Sequence, residues 1–238
     1  MAKAIDSEVH GDQENSRYRA YLEFAPHFGG ILMRRLLMFF TAACVAGAGV
    51  AYWALKEVPL DDSALASAGI VLMPSPRELP DVQLATADGQ SFGPKFFAGK
   101  WTMVLFGYTF CPDICPTALS ELRQVYLALP SESRELMGVT MVSVDPHRDT
   151  PERTQQYVTY FDPSFTAMTG ELAAVQQASS VIGLPFVPGD TSQPNYPVVH
   201  TGNLALIDPE GRQVGFVRGP LKVDQLIKIL PGFFEQSR

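Results

Sequence analysis

Continuous apolar runs and stretches with helical spacing alternate along the second half of the chain. The run from Trp101 to Phe106 is apolar except for Thr102, which is typical of a strand buried on both faces. Behind it, apolar residues recur every three or four positions over residues 116–129. They are Ala118, Leu119, Leu122, Val125, Tyr126 and Leu129. The pattern therefore predicts a buried strand followed by an amphipathic helix.

The same patterning predicts the other elements of this half. Residues 82–93 read as a short hairpin that turns at residues 87–89. Thr150 is a predicted N-cap, and Gly183 a predicted helix end. The remaining elements are strand 139–144, helix 151–161, helix 171–182, strand 203–207, a turn at 208–211, strand 213–217 and helix 223–230.

The order of these elements predicts an α/β fold of the thioredoxin-like type, with a central mixed sheet flanked by helices. A strand, a helix and a strand are followed by a hairpin and a closing helix. The strands at 101–106 and 139–144 are then parallel and joined by a right-handed crossover, so their carboxyl ends lie at one edge of the sheet. This places Asp145 near the residues that follow Phe106.

A different pattern marks the amino-terminal part. Residues 36–55 are twenty residues without a charge, preceded by Arg34 and Arg35. That length spans a bilayer as a helix, and the arginines predict a cytoplasmic tail over residues 1–35. We expect a bacterial inner-membrane anchor with the rest of the chain in the periplasm. A cleaved secretory signal, with a site at residues 46–48, is the alternative.

Composition separates the rest of the chain into a linker and one domain. Residues 56–80 contain four prolines among small and polar residues, which predicts a tether, so we expect the thioredoxin-like domain over residues 81–238. The whole chain of 238 residues is 46% hydrophobic and 18% charged, as in ordinary globular proteins. Its net charge of −7 argues against a nucleic-acid partner, which would want a basic face.

Two cysteines directly follow the strand at 101–106. The segment reads GYTFCPDICPT, with Cys111 and Cys115 four residues apart and a proline after each. Pro116 suits a first helical turn, so Cys115 should lie at a helix entrance, where the orphan amides favour a thiolate. The two cysteines are a redox couple, a metal site or both. The alternative interpretation is an inert structural disulfide. Outside the cytoplasm a disulfide can persist, and reduction needs an electron donor.

One histidine is a candidate partner for these cysteines. A loop of about fifteen residues without period, from Gly183 to Pro197, delivers His200 to the start of the second hairpin. In a thioredoxin-like layout that point lies beside the cysteine helix. Two thiolates and one imidazole form a soft set that suits Cu(I) and accommodates Cu(II), whereas structural zinc normally wants four ligands.

Three motifs carry a resemblance to a known family. The segments FGYTFCPDICPTALSEL, VSVDPHRDTPE and VVHTGNLALIDPEG, in this order, resemble the Sco/SenC family of copper-delivery proteins for cytochrome c oxidase. The resemblance covers about residues 71–230. It implies a thioredoxin-like fold, a single transmembrane helix, copper ligands Cys111, Cys115 and His200, and a supporting role for Asp145. The residue before the histidine, often acidic in the family, is Val199 here.

These observations together predict a membrane-anchored copper metallochaperone rather than an enzyme. Its expected partners are the copper-site subunit of cytochrome c oxidase, a copper donor and a thiol reductant. Two alternatives use the same residues. One is a thiol–disulfide oxidoreductase that reduces the acceptor's cysteines, and the other is a redox or copper sensor.

Overall fold

The computed structural model describes residues 33–41, 43–45 and 61–236, and the chain divides into two units between Glu57 and Val58. In the first unit, residues 33–41 and 43–45 are helical, and the rest of the predicted span over 36–55 lies outside the described residues. None of the helices among the described residues combines the length and apolarity needed to cross a membrane.

The second unit is built on one mixed sheet of eight strands. The strands are β1 (Ile70–Glu78), β2 (Val82–Ala85), β3 (Ser91–Phe92), β4 (Trp101–Gly107), β5 (Met137–Ser143), β6 (Thr166–Gly170), β7 (Leu204–Ile207) and β8 (Arg212–Val217). Their order in the sheet is β1-β8-β7-β4-β5-β6-β2-β3. Strands β4, β5 and β6 are parallel, and every other neighbouring pair is antiparallel.

Helices cover both faces of this sheet. They are α1 (Asp62–Ser67), α2 (Pro94–Phe97), α3 (Ile114–Ala128), α4 (Ser131–Glu135), α5 (Pro151–Phe161), α6 (Leu172–Ile182) and α7 (Val223–Gln236). The strand β4 is buried along its whole length because its alternate side chains enter two different apolar clusters. Met103 and Leu105 join the cluster under α3 and α7, whereas Val104 and Phe106 join the cluster under α6.

Local sequence signals explain several element boundaries. The Thr150 side chain accepts a hydrogen bond from the Arg153 amide and caps α5, with Pro151 in the first turn. Gly183 ends α6 in the left-handed conformation with φ +80°, which glycine adopts without steric cost. The predicted turn at residues 208–211 joins β7 to β8. These sequence predictions are confirmed.

The segment predicted as a tether over residues 56–80 is structured from residue 61 onward. Asp61 caps α1 through its side chain, and β1 pairs with β8 from Ile70 to Glu78. The prolines that suggested a tether, Pro74 and Pro76, lie in an edge strand, where the missing amide donor costs no ladder hydrogen bond. The domain therefore starts well before residue 81.

The register of the central strands fixes which loops meet. Leu105 of β4 pairs with Leu204 of the antiparallel β7, so the residues that follow β4 lie beside those that precede β7. Gly107 pairs with Ser143 of the parallel β5, so the loop after β5 ends at the same edge. Three loops therefore converge where the two cysteines and the histidine were predicted.

Candidate metal centre

The side chains of Cys111, Cys115 and His200 meet at this edge of the sheet. The Nε2 atom of His200 lies 3.4 Å from the Sγ atom of Cys111 and 3.4 Å from the Sγ atom of Cys115. All three donor atoms lie within 4.8 Å of one another. Among the described residues, this is the one cluster of three or more His, Cys, Asp or Glu side chains with metal-site spacing. The predicted juxtaposition is confirmed.

A glycine makes room for the inner thiol. Cys115 is the second residue of α3 and is fully buried. A Cβ atom added to Gly107, the last residue of β4, would lie 2.6 Å from the Cys115 sulfur. Real Cβ atoms do not approach other atoms so closely, so the thiol occupies space that a larger residue would fill. The absence of a side chain at position 107 therefore leaves room for the Cys115 sulfur to lie deep in the domain.

The sulfur of Cys111, the outer of the two thiols, accepts a hydrogen bond from an amide at the start of α3. The sequence had predicted that such amides would favour a thiolate at Cys115. The Asp113 side chain makes no capping hydrogen bond within the described chain, and instead the Cys115 amide donates to the Cys111 sulfur at 3.4 Å. Hydrogen bonding from the Cys115 thiol, and then from His200, lowers the pKa of Cys111 despite its burial. The same bond to Cys111, together with burial, raises the pKa of Cys115. These contacts therefore favour the thiolate at Cys111, whereas the helix position had predicted it at Cys115.

The imidazole is oriented by two neighbours. Its Nδ1 atom lies 3.1 Å from the carbonyl oxygen of Thr201, which is an acceptor, so Nδ1 carries a proton and Nε2 is the ring nitrogen that faces the two sulfurs. The Tyr108 ring meets the imidazole edge to face at 5.6 Å. Burial lowers the pKa of His200, but its hydrogen bonds to Cys111 and Thr201 outweigh that effect and raise it.

The donor set fits a single soft metal ion. Metal–sulfur and metal–nitrogen bonds of about 2.3 and 2.0 Å, as found for zinc, place the two donor atoms roughly 3.5–3.7 Å apart at tetrahedral to trigonal angles. The observed separation of 3.4 Å is close to that range. Cys111 and Cys115 are free thiols. The two sulfur–nitrogen separations are therefore close to those expected around a shared ion.

The side chain of Asp145 binds Tyr196 and Arg148, and it forms no hydrogen bond with Cys111 or Cys115 in the described part of the chain. Its buried carboxylate accepts a hydrogen bond of 2.7 Å from the Tyr196 hydroxyl and pairs with Arg148, whose guanidinium also donates to the Tyr196 carbonyl. Tyr196 precedes His200 by four residues. The carboxylate thus acts on the histidine loop, whereas the strand-end argument had placed it near the cysteines.

Sequence reasoning missed Asp149, which does contact the cysteine loop. Its carboxylate accepts hydrogen bonds from the Thr109 amide at 2.9 Å, the Thr109 hydroxyl at 2.6 Å and the Ser143 hydroxyl at 2.7 Å. The sequence did contain a signal for Asp149, because it lies on the same loop as Asp145, after a strand parallel to β4. Parallel strands end at one edge of the sheet, so both carboxylates could be expected near the cysteine loop.

Exposed apolar and cationic groups surround the opening of the centre. Phe110 is 43% exposed, and the guanidinium carbons of Arg148 and Arg153 lie 4.7 and 4.4 Å from its ring centroid. Val199, the residue before the histidine, is 64% exposed and forms a backbone bridge with Val187. The position that is often acidic in the resembled family therefore presents an apolar side chain to solvent.

Comparison with known proteins agrees with this geometry. The family model described as SCO1/SenC matches residues 74–234. A relative from Stutzerimonas stutzeri, whose name proposes copper binding, is 37% identical over 207 residues, which cover 87% of this chain and 97% of that protein.

Two solved structures share the fold. The apo Sco1 protein from Thermus thermophilus is 30% identical with a TM-score of 0.61, and the match covers 69% of this chain and 95% of that one. The copper-bound crystal structure of yeast Sco1 is 26% identical, also with a TM-score of 0.61, and covers 67% of this chain and 90% of that one. The thioredoxin-like fold predicted from the element order is the fold of these proteins.

Proposed function

We propose that this chain, which belongs to the SCO1/SenC family, binds one copper ion through Cys111, Cys115 and His200 and delivers it to the binuclear copper site of cytochrome c oxidase. The observation that carries the proposal is the convergence of two sulfurs on one imidazole nitrogen, at 3.4 Å each. Thiolate and imidazole ligands are the donors that copper prefers in either oxidation state. Sco family proteins are associated with copper delivery to the oxidase, which supports the choice of acceptor.

The different burial of the three ligands supports transfer rather than storage. Cys115 is fully buried, Cys111 is 8% exposed and His200 is half-buried, so the ion would be approached from the side of Cys111 and His200. Three protein ligands leave a coordination position that an acceptor's ligand can enter. Copper then passes by ligand exchange, and no covalent bond in the acceptor is broken.

We propose that the metal centre faces the periplasm, held at the inner membrane by residues 36–55. The twenty uncharged residues and the two arginines ahead of them support this placement. In that compartment the cysteines need a reductant before they bind copper, so a copper donor and an electron donor are part of the proposal.

A second function, thiol–disulfide exchange, is favoured by the same cysteine pair. Both thiols are free, and Cys111 has a lowered pKa beside a buried partner. The Cys111 thiolate would attack an acceptor disulfide, and Cys115 would then displace the mixed disulfide. The acceptor gains two electrons and becomes a dithiol, while this chain becomes the Cys111–Cys115 disulfide. This chemistry does not require an imidazole.

Copper titration of the reduced full-length chain separates the two functions. Cu(I) is supplied with a chromophoric chelator as competitor, and the wild type is compared with His200→Ala. The matched control is His147→Ala, because His147 is the other histidine of the described residues and binds the Tyr196 hydroxyl rather than sulfur. We expect one copper ion per wild-type chain, a loss of about 10-fold or more in affinity for His200→Ala, and little change for His147→Ala.

The contrary result is equally clear. If His200→Ala binds copper as tightly as the wild type, and both reduce a model disulfide rapidly, the centre is an oxidoreductase dithiol. Loss of affinity in His200→Ala with disulfide exchange unchanged would assign copper binding to all three residues and exchange to the cysteines alone.

A further inference from the structure

We propose that Asp149 is a positioning residue for copper binding, because its buried carboxylate fixes the loop that carries Cys111. This inference rests on the proposed function and concerns a residue that is not itself a ligand. Asp149 is 1% exposed. Both of its oxygens accept hydrogen bonds from Thr109, two residues before the outer thiol.

The geometry of the contact restrains the loop in more than one direction. The Thr109 amide donates to Oδ2 of Asp149 at 2.9 Å, and the Thr109 hydroxyl donates to Oδ1 at 2.6 Å. One carboxylate thus holds both the backbone and the side chain of a single loop residue. The Arg153 guanidinium donates to the same hydroxyl oxygen at 3.2 Å, which fixes its orientation.

Holding Thr109 in place also holds Cys111 in place. The Cys111 amide donates to the Tyr108 carbonyl at 3.2 Å, so residues 108–111 form one tight turn with Thr109 inside it. A displacement of Thr109 would therefore move Cys111, whose sulfur must stay within bonding distance of an ion shared with His200. Bond lengths at a metal site tolerate only about 0.2 Å.

Asp149 is itself held firmly enough to act as an anchor. The hydroxyl of Ser143, the last residue of β5, donates to Oδ2 at 2.7 Å, and the Asp149 amide donates to the Asp145 carbonyl at 3.0 Å. Among the described residues, no cationic side chain pairs with this carboxylate. Its hydrogen-bonding capacity therefore goes to the end of β5 and to the cysteine loop.

The loop after β5 thus holds both halves of the metal centre. Asp145 and Arg148 hold Tyr196 on the histidine side, and Asp149 holds Thr109 on the cysteine side. Second-shell groups of this kind set ligand orientation, and their loss typically costs about 10–100-fold in metal affinity. We therefore expect an effect of that size at Asp149.

The experiment compares Asp149→Ala with a matched control, Asp162→Ala, in the reduced full-length chain. Asp162 is also buried, and its Oδ1 atom accepts hydrogen bonds from the Ser164 amide at 2.9 Å and hydroxyl at 2.6 Å, just after α5. Each substitution therefore removes a buried carboxylate that binds a backbone amide and a hydroxyl group. Asp149 does so beside the metal centre, and Asp162 does so at the end of α5. Cu(I) affinity by chelator competition and hydrogen exchange of the copper-free loop over residues 107–112 are the two measurements.

We expect Asp149→Ala to lose about 10–100-fold in Cu(I) affinity and to exchange the loop amides at least about 10-fold faster. Asp162→Ala should change neither by more than about threefold. Asp149→Asn should recover most of both, because an amide can offer its oxygen to the Thr109 amide and its NH₂ group to the Thr109 hydroxyl. If Asp149→Ala fails to fold, Thr109→Val replaces it, and Thr109→Ser is its conservative partner.

Two results would overturn the inference. One is unchanged loop exchange in Asp149→Ala, and the other is a copper affinity that falls no further than in Asp162→Ala. The proposed function fails separately, if the wild-type chain binds no copper. In that case, loop exchange still decides whether Asp149 holds the Cys111 loop.

Discussion

The contact between Gly107 and Cys115 gives the strongest test of how the fold sets the metal centre. In Gly107→Ala, the new methyl group would lie 2.6 Å from the Cys115 sulfur and 3.6 Å from both the Cys115 Cβ atom and the Met141 sulfur. A favourable carbon contact needs about 3.5–4.0 Å, so the sulfur must move by roughly 1 Å or more. We expect the Cys115 side chain to rotate, which would change the distance between its sulfur and Nε2 of His200 from 3.4 Å.

The expected energies differ for folding and for binding. Overpacking of a buried site costs about 1–3 kcal/mol, and rotation of one small side chain should keep the cost at the lower end. Copper binding tolerates errors of only about 0.2 Å in its bonds, so we expect an affinity loss of at least about 10-fold, or roughly 1.4 kcal/mol. The unfolding free energy is measured by urea titration of the reduced chain, and the affinity by Cu(I) competition.

Gly138→Ala is the matched control for this prediction. Gly138 lies in the neighbouring strand β5, and a Cβ atom there would approach the Thr102 hydroxyl oxygen to 2.8 Å, away from the metal centre. It should destabilise the fold to a similar extent and leave copper affinity within about threefold of wild type, since it touches no ligand. An affinity loss of equal size in both variants, or an unchanged affinity in Gly107→Ala, would show that Gly107 does not set the position of the Cys115 sulfur.

Two further predictions follow from the hydrogen bonds around the centre. The Cys115 thiol and His200 lower the pKa of Cys111, so the rate of its alkylation by iodoacetamide should change little between pH 8 and pH 6. The measurement uses a Cys44→Ser background, in which Cys115 should remain unreactive. An alkylation rate that falls about 100-fold over this range, as for an ordinary thiol, would contradict the prediction. Tyr196→Phe removes a donor from buried Asp145 and should destabilise the reduced chain by about 1–3 kcal/mol in urea titration. The control Tyr157→Phe, whose buried hydroxyl has no partner in the described structure, should cost close to nothing, and equal costs would contradict the account.

Much of the fold could be predicted because its central elements have strong local signals. The helix at 151–161 matches α5 at both ends, since Thr150 and Pro151 mark its start. The apolar run of β4 and the spacing of α3 are equally clear. The strand β6 was missed, because its five residues carry no alternation that separates them from a loop, and it is buried by long-range pairing with β5 and β2.

The meeting of the three candidate ligands could be predicted, but the hydrogen-bond network around them could not. Topology places the ends of β4, β5 and β7 together, which is enough to bring Cys111, Cys115 and His200 into one region. Which carboxylate reaches which loop depends on side-chain directions within a single turn. Asp145 reaches Tyr196, while Asp149, four residues later, reaches Thr109. That choice is made by packing and has no periodic pattern in the sequence.

X-ray absorption spectroscopy of the reduced, Cu(I)-loaded full-length chain identifies the atoms that bind copper. We expect two sulfur ligands and one imidazole nitrogen, with the nitrogen contribution lost in His200→Ala and a sulfur lost in Cys111→Ser or Cys115→Ser. A copper ion bound by two sulfurs alone, with a spectrum that His200→Ala leaves unchanged, would contradict this expectation.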